Sequence, residues 1–133
     1  MIVGFSITKM NAEKHAAKQR DLNVNYTHKI TDVETAEVPA IDKPIARVHF
    51  TLDASYTQNE EPVADMGFEG TLLWQGDAED LVSTWDEEDT IDDEVAAAIT
   101  NHLYRKCLTQ AVSLADTLDL PSPVPMPRIG QQQ

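Results

Sequence analysis

Four histidines, one cysteine and a crowd of carboxylates are the residues of this chain that could do chemistry. They would support metal binding, nucleophilic catalysis or cation capture. His15, His28, His49 and His102 stand far apart in sequence. No His-x3-His, Cys-x2-Cys or His-Glu-x2-His spacing brings two ligands together locally. Cys107 follows His102 at a spacing of five rather than the same-face four. It reads as a buried apolar thiol, not as a nucleophile beside its base. Asp86 to Asp89 with Asp92 to Glu94 has the composition of a cation loop, but lacks the alternating Asp layout, glycine and terminal Glu of an EF-hand. A solvated connector is the plainer reading. With five glycines in all, there is no Gly-x-Ser-x-Gly elbow and no phosphate loop. The expectation is therefore a non-enzyme without metal, cofactor or catalytic residues.

Charge narrows the partners. The formal net charge is −13 and the sequence pI is near 4.4. From Glu60 to Glu94 there are fourteen acidic residues and no Lys or Arg, whereas the first 35 residues are near neutral. Nucleic-acid binding requires cationic contacts with phosphate, so a direct DNA or RNA role is disfavoured and basic partners are favoured. Solubility in a salty cytoplasm is the other reading of the same acid.

A chain of 133 residues suggests one domain, 1–133. Apolar residues at 41% are too many for a disordered chain, and no apolar run is long enough to span a bilayer. The start reads as a strand rather than a signal peptide, and a lone cysteine excludes an intrachain disulfide, so the expected compartment is the cytoplasm.

Period-two patterning marks four strands. Val3, Phe5 and Ile7 form the first. Asn11 to Arg20 fits a strand extension, a short helix or a loop. Leu22, Val24, Tyr26, His28 and Ile30 face one way in the second strand, before a break from Val38 to Pro44. Val48, Phe50, Leu52, Ala54 and Tyr56 form the third, and Gln58 to Pro62 a turn. Met66, Phe68, Gly70, Leu72 and Trp74 form the fourth. With no crossover helix between them, antiparallel pairing follows. Asp77 is placed to cap a short helix, Ala78 to Trp85. Thr90 or Asp92 is placed to cap a long one, whose stripe runs from Val95 through Ile99, Leu103, Cys107 and Ala111 to Leu118 over about seven turns. Leu108, Val112 and Leu114 widen that stripe beyond what one small sheet needs, so a homo-oligomer is expected. The fold class is thus α+β. A Pro-rich tail, 120–133, with prolines at 121, 123, 125 and 127, forbids helix. Its apolar Val124, Met126 and Ile129 predict a tail docked on the body.

These residues resemble the SecB family of export chaperones, in particular archaeal SecB-like proteins. The resemblance runs from about Val3 to Ile129. It rests on the strand layout, on Trp74-Gln-Gly-Asp77 before a short helix ending in Trp85, and on the long helix from Asn101 into Leu120-Pro-Ser-Pro-Val-Pro-Met-Pro-Arg-Ile129. It implies an ATP-independent holdase, assembled as a dimer or dimer of dimers, that binds non-native or extended polypeptide and is linked to protein export. Some SecB-like members serve toxin–antitoxin systems instead. Two stretches depart from the bacterial pattern. Thr90 to Glu94 replaces an apolar entry to the long helix, and Arg128 to Gln133 lacks a basic zinc-contacting end. Both bear on hand-off to a translocase rather than on the fold. The expected peptide contacts are Phe50, Tyr56, Phe68, Leu73, Trp74 and Trp85, with Met66 and Met126 as adaptable apolar surface, and core packing is the competing reading of each aromatic. The acidic stretch would form a rim favouring basic segments. The alternative is an adaptor or subunit of one stable complex, antitoxin-like or ribosome-associated.

Overall fold

The alternating stretches become long strands. β1 is Ile2–Lys14, β2 Asn23–Val38, β3 Ile41–Gln58 and β4 Glu61–Gln75; they are followed by helices α1, Ala78–Glu88, and α2, Asp93–Thr117. The structure is a computed structural model describing residues 1–15 and 22–124. All strand pairs are antiparallel, in the order β1-β4-β3-β2. Strands consecutive in sequence, β1 and β2, thus take the two edges. The fold class is as expected: a four-stranded antiparallel sheet, a short helix, then one long helix.

The hairpins are tighter than the sequence suggested. The expected break from Val38 to Pro44 shrinks to Pro39 and Ala40, and Ile41 already pairs with Val38. Pro44 is tolerated because it lies just past the β4 ladder, which ends where Ile45 pairs with Gln75. Between β3 and β4 only Asn59 and Glu60 turn, both at positive φ (50° and 67°), the backbone of a two-residue hairpin whose twist matches its strands. Residues 11–14 of the ambiguous segment extend β1, and 16–20 lie outside the described residues.

Alternation places the core. Val48, Phe50, Leu52, Ala54 and Tyr56 of β3 and Met66, Phe68 and Leu72 of β4 are at most 1% exposed. They meet Ile99, Leu103, Cys107, Ala111 and Ala115, a stripe of α2 at steps of four. Each large side chain so buried contributes about 1.5–3 kcal/mol. Gly70 leaves room above itself. Phe5 of β1 and Phe50 of β3 stack at 5.4 Å, flanking the strand that carries Gly70. A Cβ at Gly70 would stand 2.8 Å from Phe50 Cζ and 2.1 Å from Ser6 O.

Of the residues expected to widen the α2 stripe, Leu108 and Leu114 are half-buried against the core and Val112 is half-buried, while the outward positions Ala97, Ala98, Asn101, Arg105, Thr109 and Ser113 are small or polar. Among the described residues, Met1 and Met10 are the large apolar side chains left exposed. Among the described residues, no helix is long and apolar enough to cross a membrane.

Helix ends differ too. α1 runs on to Glu88, past the expected Trp85. Gly76 (φ 116°) and Asp77 (φ 46°) are both left-handed, so the Asp77 side chain makes no capping bond and its carbonyl accepts from Leu81 N at 3.0 Å instead. Asp92 does cap α2, its carboxylate accepting from Glu94 N at 3.2 Å.

Candidate functional site

The eight residues expected to touch peptide separate into groups. Phe50, Tyr56, Met66 and Phe68 are at most 1% exposed beneath α2. Alternation points them inward, so in this conformation they belong to the core, the competing reading of the aromatics. Leu73 is half-buried on the opposite face of the sheet, across from Gly4. Met126 lies outside the described residues. Trp74, near the end of β4, and Trp85, on α1, remain, both half-buried.

Each tryptophan lines a shallow cleft. The first, about 420 Å³, is bounded by Trp74, Leu81, Thr84 and Val95, with Asp77, Asp80 and Asp92 along its rim. Trp74 Nε1 donates to Gly76 O at 3.0 Å, which fixes the indole at the end of β4. The second, about 610 Å³, is bounded by Trp85, Ile91 and Ala96, with Asp89 and Asp93 on one side and His28 and Lys29 of β2 on the other. Both therefore offer an aromatic wall edged by carboxylates, a pairing that suits apolar side chains flanked by Lys or Arg.

The charge on α1 is poorly compensated. Asp86, Glu87 and Glu88 occupy its last turn, Asp89 follows at the C-cap, and no basic residue is there to balance them. Carboxylates at the negative end of a helix dipole are unfavourable by roughly 0.3–1 kcal/mol each at low salt. A cationic partner would relieve that cost.

The tail docks in part. Leu120 N donates to Ala115 O at 2.8 Å, closing α2. Tyr56 OH donates to Pro121 O at 2.7 Å, and Tyr26 OH donates to Pro123 O. Pro123 is buried. Two tyrosines on neighbouring strands thus hold the carbonyls of Pro121 and Pro123 in segment 121–124, which bends at Pro123 and Val124, while 125–133 lie outside the described residues. Burial pushes the Tyr56 hydroxyl up to about 12, so it stays a neutral donor. Tyr26 also meets Tyr104 edge-on at 6.0 Å, and His28 Nδ1 and Tyr104 OH share a hydrogen bond of 3.0 Å.

The catalytic alternative gains no support. Cys107 is fully buried, and desolvation pushes its thiol up to about 11, far from a reactive thiolate at neutral pH. His102 turns away from it, its ring edge-on to Phe5 at 5.0 Å and Nδ1 near Arg105. His15 pairs with Asp65 at 2.6 Å and His49 with Glu34. The last pair was not visible from sequence spacing, because cross-strand register brings it together.

No family model and no curated protein matches the sequence. A solved structure does match by shape: the Mycobacterium tuberculosis Rv1957 SecB-like chaperone in complex with a ChAD peptide from the Rv1956 HigA1 antitoxin. The TM-score is 0.59 at 18% identity, covering 100% of this chain and 92% of that one. The chain therefore has a SecB-like fold.

Proposed function

We propose that this protein is a member of the SecB-like chaperone family, acting as an ATP-independent holdase on non-native or extended polypeptides. The observation that carries the reading is the whole-length SecB-like fold, shared with a chaperone whose structure holds a peptide. The two tryptophan clefts with acidic rims support it, since they fit segments that mix apolar and basic residues. Of the eight expected contacts, Trp74 and Trp85 are the proposed anchors, and Leu73 serves only a ligand on the other sheet face. The protein acts without catalysis or cofactor, in the cytoplasm, with a link to export as the wider role. A homo-oligomer, dimer or dimer of dimers, completes the proposal. Among the described residues the edge strands β1 and β2 each have a strand neighbour on one side only, which supports association through a sheet edge.

Aggregation of several unrelated clients tests this. The holdase reading expects near-stoichiometric protection of each, reduced in Trp85→Ala if its melting temperature is retained. Protection of none, with one protein co-purifying, supports the adaptor reading instead. That second reading is favoured by the neighbour's ligand, a peptide from an antitoxin. Light scattering at low and high salt tests the oligomer, and a single-copy mass in both would remove it.

A further inference from the structure

The sheet face that α2 leaves uncovered holds a cluster used by neither reading. Before residue 31, the even-numbered residues of β2 face the helix, as Ile30 does opposite Phe50. Unbroken alternation would send Asp32 and Glu34 inward as well. A bulge between Ile30 and Asp32 resets the phase, so Val33 turns in and is 2% exposed. Asp32 then stands directly across from His49 of β3 on the outer face, and Glu34 is the next residue on that face. One ligand atom from each of Asp32, Glu34 and His49 lies within 4.8 Å of the others.

We propose that Asp32, Glu34 and His49 bind a divalent transition-metal cation of the zinc type, with water completing its coordination. Two ligand atoms on a tetrahedral zinc stand about 3.3 Å apart, so small side-chain rotations close the set. One imidazole with two carboxylates suits zinc or cobalt, whereas magnesium and calcium take oxygen ligands alone. His49 Nε2 now shares a hydrogen bond with Glu34. In the bound form that nitrogen faces the ion, and the ring proton sits on Nδ1. Arg47, paired with Glu34 in register, opposes a cation. The plain alternative is a cross-strand His–Glu pair with an aspartate beside it.

Calorimetric titration of chelator-treated full-length protein with zinc chloride, and optical titration with cobalt chloride, test the site. One equivalent should bind per chain. His49→Asn should weaken binding by at least about 10-fold and abolish the cobalt spectrum. Arg47→Gln should tighten binding several-fold, and millimolar magnesium should not compete. Parent-like binding in His49→Asn, or displacement by magnesium, would assign the cation to the acidic stretch from Glu60 to Glu94 and overturn the proposal. So would absence of binding to the parent. Circular dichroism of both variants excludes loss of fold as the cause of any change.

Discussion

Replacing Tyr56 by Phe removes one hydroxyl and little else, because the ring stays fully buried beneath α2. The lost bond is the one donated to Pro121 O at 2.7 Å. A neutral hydrogen bond of this kind contributes about 1 kcal/mol net. In a domain of this size that lowers the melting temperature by about 3–5 °C. Deleting 121–133 gives the control. Without the tail the hydroxyl keeps its desolvation cost but has lost its acceptor, so Tyr56→Phe should be neutral or slightly stabilising in that background. Thermal unfolding of the four proteins closes the cycle, with a coupling of about 1 kcal/mol between hydroxyl and tail. An equal cost of Tyr56→Phe with and without the tail would show that the bond to Pro121 contributes nothing, and that segment 121–124 is not held as described.

Other outcomes follow from the core and from the histidines. Gly70→Ala should destabilise by about 3 kcal/mol or more, because its methyl meets a backbone oxygen as well as Phe50; a stable variant with an unchanged melting temperature would contradict the packing. Cys107 should react with a thiol reagent only on unfolding, at the rate of global opening, given its burial. By NMR, His15 should titrate above the usual histidine value because Asp65 accepts its proton, and Asp65→Asn should bring it back. His102 should titrate below that value because burial disfavours its cation. The two act oppositely on stability. The His15 contribution is present below pH 6.5 and fades as pH rises through its raised pKa. The His102 penalty grows as pH falls below 6.5.

Sequence patterning located the strands and α2 because burial on one face imposes a period on residue choice, as in Val48 to Tyr56 and in Ile99 to Ala115. It left Phe50, Tyr56 and Phe68 open between core and binding surface, since alternation tells which residues share a face but not which face is covered. The bulge after Ile30 carries no composition signal, so the continuation of β2 past Thr31 and the meeting of Asp32, Glu34 and His49 were not legible. Asp77 looked like an N-cap by residue type, but the left-handed pair Gly76–Asp77 turns its side chain away. Trp74 and Trp85 were legible as aromatics beside acid. That they border two clefts on either side of α1 required the turn at Gly76.

The strand order β1-β4-β3-β2 also sets a timetable. On the ribosome, β2, β3 and β4 can pair as each emerges, but β1 must wait for β4, and Ile2 meets Trp74 only after roughly 70 further residues have been made. At about 5–20 residues per second that is a delay of several seconds. Phe5 and Ile7 spend it unpaired, and the stack of Phe5 on Phe50 cannot form. A protein proposed to hold non-native chains is thus itself exposed while its first strand lacks a neighbour. Closing the sheet from that end also makes the slowest contacts the most distant ones, which places folding in the slower range for its size.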